Sequence, residues 1–327
     1  MNRQPKIGVA LSGGGVRGFA HLGILRALEE LDVPVHLLAG TSMGGLVAGL
    51  YAAGVSLDRL DAFARNAGLR ELISPDPHRR GLIDQDRMVP LLADLLGGTE
   101  RSFEELRIPT TLLAVDLERC ELVRLNQGPL IPALLATSAF PFVFSPVHHQ
   151  GRWLVDGGVA NNLPVDVVRG MGADRVLGVN TPSSFQLCLD GKAHAEAPED
   201  GRLAGVRGLP SRARALVADR MRTLQQPFTI MQASMGYTVT MANRTRVALC
   251  PPDLLLNVPL PGIGLFTTHQ SGTAIDAGYR VAREQRAELR ALARPLPPPW
   301  RHRLGSAWGR ARLAWQVYRD PGSLLGG

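Results

Sequence analysis

The sequence predicts an α/β fold, a three-layer α/β/α arrangement around a mostly parallel central sheet. Three observations lead there. From Ile7 to about Val179, short β-rich runs alternate with stretches of helical periodicity, the pattern that builds parallel sheets. Twice, near residues 11–18 and 39–44, an apolar run ends in glycines and passes straight into a helical segment. The chain has 327 residues, 45% of them hydrophobic and 20% charged. That balance supports a sizeable core and excludes a disordered polymer.

In chain order, Ile7–Ser12 reads as the first strand. A helix over Gly18–Leu31 follows, with Ile24, Leu28 and Leu31 on one face and Glu29 and Glu30 turned to solvent. Val35–Ala39 is the second strand. Met43–Ala53 is a helix, small and apolar nearly all round, which suits a buried position and stops at Gly54. Residues 70–105 carry Pro75, Pro77, a basic cluster at His78–Arg80 and a helical stretch Gln85–Leu96, and read as an insertion over a site. Strands are expected at Thr110–Val115, Leu122–Leu125, Trp153–Asp156 and Arg175–Val179. Residues 183–212 lose periodicity and gather Gly, Pro, Ser and charge, as a mobile loop does. A helical passage Arg214–Met241, a strand near Arg246–Leu249 and a helix Gly272–Leu292 complete a body spanning 5–292. The prolines of 295–299 set off a tail, 295–327, of different character.

The net charge of +7 is a weak guide to partners. There are 34 arginines and only two lysines, Lys6 and Lys192, so the excess reflects a general arginine usage, and nucleic-acid binding has nothing else in its favour. No uncharged apolar run of 18 residues is present, which argues against a transmembrane helix, and the N-terminus lacks the h-region of a secretory signal. The expected location is cytoplasmic. Cys120, Cys188 and Cys250 are odd in number and lack metal-type spacing, so neither disulfides nor a metal is expected.

Gly40-Thr41-Ser42-Met43-Gly44 matches G-x-S-x-G in a strand–turn–helix setting. Ser42 would project above the sheet edge, at a helix N-terminus that favours developing negative charge. An ordinary glycine-rich N-cap has the same pattern. Leu11-Ser12-Gly13-Gly14-Gly15-Val16-Arg17-Gly18 satisfies G-x-G-x-x-G, yet the next strand ends without the acidic residue of a dinucleotide site, and no Walker lysine follows. What remains is a run of glycine N–H groups able to bind an anion, as an oxyanion hole does. Adjacent, parallel first and second strands would bring Gly13, Gly14 and Gly15 beside Ser42. None of the eight histidines is marked as a base for this serine; His21 reads as a packed helix residue and His148-His149 as a solvated turn. Asp156, closing a short strand ahead of Gly157 and Gly158, is the better candidate, although a β-turn Asp has the same setting.

Together with Ala136-Thr137-Ser138-Ala139-Phe140-Pro141-Phe142-Val143-Phe144-Ser145-Pro146, these blocks occur in the order and spacing of the patatin-like phospholipase family, and the chain resembles a bacterial cytoplasmic member. The likeness covers about residues 7–180, with weaker similarity over 246–282. It implies a patatin-like fold, no cofactor, and a Ser-Asp dyad with Ser42 as nucleophile and Asp156 as base. It also implies an oxyanion hole from Gly13, Gly14 and Gly15, with Arg17, Gly18, Gly40, Gly44, Gly157 and Gly158 in support. The activity implied is hydrolysis of lipid carboxylic esters, of phospholipase A or lysophospholipase type. Phe140 departs from the small residue usual in the third block. A catalytically silent membrane-associated or scaffolding protein of the same fold is the alternative. A Ser-His-Asp hydrolase is a third reading, and needs a histidine beside Ser42.

In the tail, Leu304, Trp308, Ala311, Trp315 and Tyr318 share one helical face, while Arg303, Arg310, Arg312 and Arg319 lie off it. Residues 300–319 thus read either as an interfacial helix at the inner surface of an anionic membrane or as a helix docked on the body or on a second subunit. The expected partner is a lipid or phospholipid substrate, and homo-oligomerisation is left open.

Overall fold

Five neighbouring strands of the sheet run parallel, because the chain passes through at least one helix between each of them and the next and is carried back. The structure, a computed structural model, describes residues 3–66, 87–141, 143–182, 230 and 233–296. Within them the strands are β1 (Ile7–Leu11), β2 (Leu37–Thr41), β3 (Thr110–Asp116), β4 (Glu121–Leu125), β5 (Val147–His149), β6 (Arg152–Asp156), β7 (Arg175–Asn180) and β8 (Leu254–Asn257). The helices are α1 (Ala20–Glu30), α2 (Met43–Ala52), α3 (Leu57–Asn66), α4 (Met88–Leu95), α5 (Leu130–Thr137), α6 (Val165–Gly170), α7 (233–249), α8 (Ser271–Glu284) and α9 (Arg286–Leu292). The sheet runs β5-β6-β3-β2-β1-β7-β8, with β4 on the other edge of β3.

Alternation along the strands sorts the core into two layers. Ile7, Val9 and Leu11 of β1, Leu38 of β2, Leu112 and Ala114 of β3, and Leu177 and Val179 of β7 join a large cluster with α1, α2, α5 and α8. The intervening positions, Ala10, Leu37, Ala39, Leu113 and Val176, face a smaller cluster built on Val165, Val167 and Val168 of α6 and Val247 of α7. Helices on both faces of a mostly parallel sheet give the expected three-layer α/β/α architecture. Among the described residues no helix is long and apolar enough to cross a membrane.

The edge of β3 carries the most consequential topology. Its first half pairs in parallel with β2, ending at Thr41 opposite Leu113. Its second half pairs antiparallel with β6, whose last residue, Asp156, lies opposite Ala114. Because β4 occupies residues 112–116 on the opposite edge, β2 and β6 share one edge and meet end to end. Two strand C-termini running in opposite directions therefore converge on neighbouring positions of one strand.

Several local expectations are corrected. Residues 246–249 are not a strand; they are the last turn of α7. The segment 272–292 is two helices, broken at Gln285. His148 and His149 belong to β5 of an antiparallel hairpin, and His149 is buried. The second strand begins two residues later than the apolar pattern suggests and includes Gly40 and Thr41. The basic cluster at 78–80, the loop 183–212 and the tail from 297 onward lie outside the described residues.

Candidate active site

β2 ends, and α2 begins, at Ser42. Its backbone sits at φ 56° and ψ −128°, a region seldom populated by residues with a side chain and one that stores strain. Sterics permit the turn because a Cβ on Gly40 would strike the carbonyl of Gly44, and one on Gly44 would strike that of Ser12. The strand and helix thus approach more closely than any larger residue allows, and the serine side chain is left projecting at the strand end.

Asp156 arrives at the same place from β6. Its carboxylate accepts the Gly158 N–H at 2.7 Å, and the Ser42 hydroxyl beside it favours its charged form. At 2% exposure the carboxyl is almost wholly removed from water. Burial pushes its pKa up to about 6, against the pull of the Gly158 N–H and the Ser42 hydroxyl. A carboxylate paired with a serine hydroxyl and raised toward neutrality has the pKa of a general base.

The glycine loop after β1 supplies the third component, with one change from the expected trio. The Gly13 N–H donates to the Asn162 carbonyl at 3.2 Å, so it is engaged within the fold. Val16 N–H donates to Leu265 and Arg17 N–H to Gly14. Gly14 and Gly15 are left, among the described residues, as the loop amides without an intramolecular acceptor. Gly15 takes φ +55°, and a Cβ there would collide with the carbonyl of Leu265, so glycine is required on both counts. Two adjacent glycine N–H groups of this kind are able to receive an anion.

The other expected supporting residues fall around this centre. Gly18 packs on Met43, Gly157 on the carbonyl of Leu113, and Gly158 beside the Asp156 carboxylate. Arg17 is buried and lines the same small pocket, of about 60 Å³, as Ser42, Asp156 and Asn162, where Met235, Gly236 and Val239 of α7 also contribute. A larger apolar cavity of about 470 Å³ opens from Ser42 between α2, α3 and α4, walled by Leu46, Leu50, Leu60, Phe63, Leu92 and Leu95. Phe140, the bulky departure in the third block, lines both. Among the described residues no histidine lines either space. His21 is buried, donates Nε2–H to the Ser12 carbonyl at 2.7 Å, and is held near pKa 4 by burial against that bond, so it is neutral and already engaged.

The model of the patatin-like phospholipase family matches residues 9–169, from the first strand through Ser42 and Asp156 to α6. Residues 9–169 of the chain belong to this family. Two relatives are similar to its patatin-like region. An NTE family protein of Mycobacterium tuberculosis is 35% identical over 187 residues, which cover 55% of this chain and 50% of that protein. A protein of Mycosarcoma maydis named a lysophospholipase is 32% identical over 192 residues, covering 54% of this chain and 10% of that protein. The chain thus spans half or less of the length of these curated relatives. The crystal structure of VipD from Legionella pneumophila is similar at a TM-score of 0.48 and 15% identity, over 91% of this chain and 69% of that one.

Two contributors to the site have no motif in the sequence. Asn162 carries the carbonyl that engages Gly13 and the side-chain amide facing the Gly13 carbonyl at 3.5 Å. Thr137 accepts the Ser42 N–H at 3.1 Å. Only the proximity of Asn162 to the Asp-Gly-Gly block, and the place of Thr137 inside the third block, hints at either.

Proposed function

We propose that this chain is a serine acyl hydrolase that cleaves lipid carboxylic esters, of phospholipase A or lysophospholipase type, through a Ser42–Asp156 dyad and an acyl-enzyme intermediate. The observation that carries the reading is the Ser42 hydroxyl beside a buried Asp156, in a pocket lined by Gly14 and Gly15 and next to an apolar cavity. The family membership and the relative named a lysophospholipase support the substrate class.

In this mechanism Asp156 takes the hydroxyl proton as Ser42 Oγ attacks the ester carbonyl. The tetrahedral oxyanion is received by the Gly14 and Gly15 N–H groups, aided by the N-terminus of α2. Collapse breaks the ester C–O bond, and the proton held by Asp156 passes to the departing alcohol. Water then attacks the acyl-Ser42, giving its proton to Asp156, and a second collapse releases the fatty acid and restores the hydroxyl. A single apolar cavity beside Ser42 is suited to an acyl chain, whose burial is worth about 0.8 kcal/mol per methylene.

A fluorophosphonate probe that labels Ser42, together with a panel of phospholipids, lysophospholipids and simple esters, tests the reading. Native protein is expected to take the label and to release fatty acid, and Ser42→Ala and Asp156→Asn to do neither at a measurable rate. An active Ser42→Ala protein would exclude it. The same proposal has the hydrolase body over 5–292 and a cytoplasmic enzyme brought to lipid by the tail. Liposome binding that persists without residues 295–327 removes that last element.

A further inference from the structure

The nucleophile and its base are carried by strands that do not pair with each other, and a single hydroxyl lies at the junction between them. Thr137, the last residue of α5, is fully buried. Its Oγ1 donates to the Leu113 carbonyl at 2.6 Å and accepts the Ser42 N–H at 3.1 Å. Leu113 is the β3 residue opposite Thr41, one position before the partner of Asp156, where the edge of β3 passes from β2 to β6. The same carbonyl is the surface on which the residue after the base rests, since a Cβ on Gly157 would lie 2.5 Å from it. Gly45, in the first turn of α2, makes room for the threonine: a Cβ there would approach Thr137 Cγ2 at 2.8 Å and Oγ1 at 2.9 Å.

From this arrangement we propose that Thr137 is a positioning residue for the dyad, its hydroxyl tying the Ser42 backbone to the Leu113 carbonyl that also seats Asp156-Gly157. It has two effects. By accepting the Ser42 N–H it holds the nucleophile in its strained φ 56° conformation, which a residue with a side chain leaves unless its surroundings over-determine it. By anchoring that amide and the turn after Asp156 to one oxygen, it sets the separation of hydroxyl and carboxylate. Thr137 touches neither the acyl group nor the leaving group, so its influence is exerted on orientation.

The inference rests on the hydrolase reading, and the experiment separates the two. The second-order rate of fluorophosphonate labelling at Ser42, and kcat and KM on a soluble short-chain ester, are measured for native protein, Thr137→Val, Thr137→Ser and Gly45→Ala, with melting temperatures as a check on folding. Valine keeps the shape and removes the hydroxyl, serine keeps the hydroxyl, and alanine at 45 crowds the hydroxyl while adding to helix propensity. The expected result is a fall of about 10²-fold in labelling and in kcat for Thr137→Val, the size expected of an ångström-scale misplacement. KM should change less than threefold, and Thr137→Ser should stay within about threefold of native throughout. If Thr137→Val fails to fold, Gly45→Ala decides: slow labelling of a folded protein supports the role, and native-rate labelling overturns it. Native-rate labelling of a folded Thr137→Val, or a Thr137→Ser as slow as valine, also overturns it. A native protein that takes no label overturns the hydrolase reading, and this inference falls with it.

Discussion

Acidification should silence the enzyme well above the pH at which an ordinary aspartate is protonated. Asp156 can accept the Ser42 proton only when ionised, and burial has moved its pKa from 3.8 to about 6. Each pH unit below that value then reduces the reactive fraction about tenfold, leaving roughly a tenth of the plateau rate at pH 5 and a hundredth at pH 4. A solvated aspartate would keep about nine-tenths of its activity at pH 5. The measurement is kcat/KM on a water-soluble short-chain ester, or the labelling rate at Ser42, from pH 4.5 to 8 at constant ionic strength, with far-UV circular dichroism recorded at each point. The free-enzyme profile should rise with slope one and level off above about pH 7. A rate unchanged between pH 7 and pH 5 in protein that keeps its fold would refute the assignment of Asp156 as the base.

The same buried carboxyl makes a statement about stability. Between pH 3.8 and about 6 the folded state binds more protons at Asp156 than the unfolded chain, so stability falls as pH rises through that window, by about 3 kcal/mol in all. Asp156→Asn should therefore melt higher than native protein at pH 7–8, and the difference should vanish near pH 4; thermal scans at the two pH values decide. Gly278→Ala places a methyl group against the Ala20 carbonyl where α8 crosses α1, and should destabilise by about 1–3 kcal/mol or more, read as a fall in melting temperature at unchanged pH optimum. Leu60→Phe on the cavity wall should remove room for two or three methylenes, about 2 kcal/mol. Kinetics on an ester series would show kcat/KM falling roughly 30-fold for long acyl chains and staying within about threefold for acetyl or butyryl esters.

How far the sequence could reveal this molecule depends on whether each feature is local. Parallel strands buried on both faces read as apolar runs, so β1, β3 and β7 were legible, as was the placing of Ser42 and Asp156 at strand ends. Residues 246–249 misled because a short apolar run is compatible with either secondary structure, and only packing of Val247 against α6 reveals the helix. His149 looked solvated because it precedes a turn; its burial comes from pairing with β6. The glycine loop announced an anion nest but not which amides are unengaged, since Gly13 N–H is taken by a carbonyl from the distant Asn162. Thr137 was invisible for the same reason: its two bonds reach residues far away in the chain, and the third block gives no sign of what its hydroxyl touches.

The meeting of β2 and β6 on one edge of β3 also governs when the chain can acquire chemistry. As the protein emerges from the ribosome, Ser42 and its elbow appear early, together with the glycine loop. Asp156 follows only after β3, β4 and β5 have been made, and it reaches its post only by pairing with a strand already in place. A nascent or truncated chain that ends before residue 152 therefore carries Ser42 without Asp156, and on the proposed mechanism has no activity. For the proposed hydrolase, the order of strands in the sheet would thus set a delay between synthesis and activity.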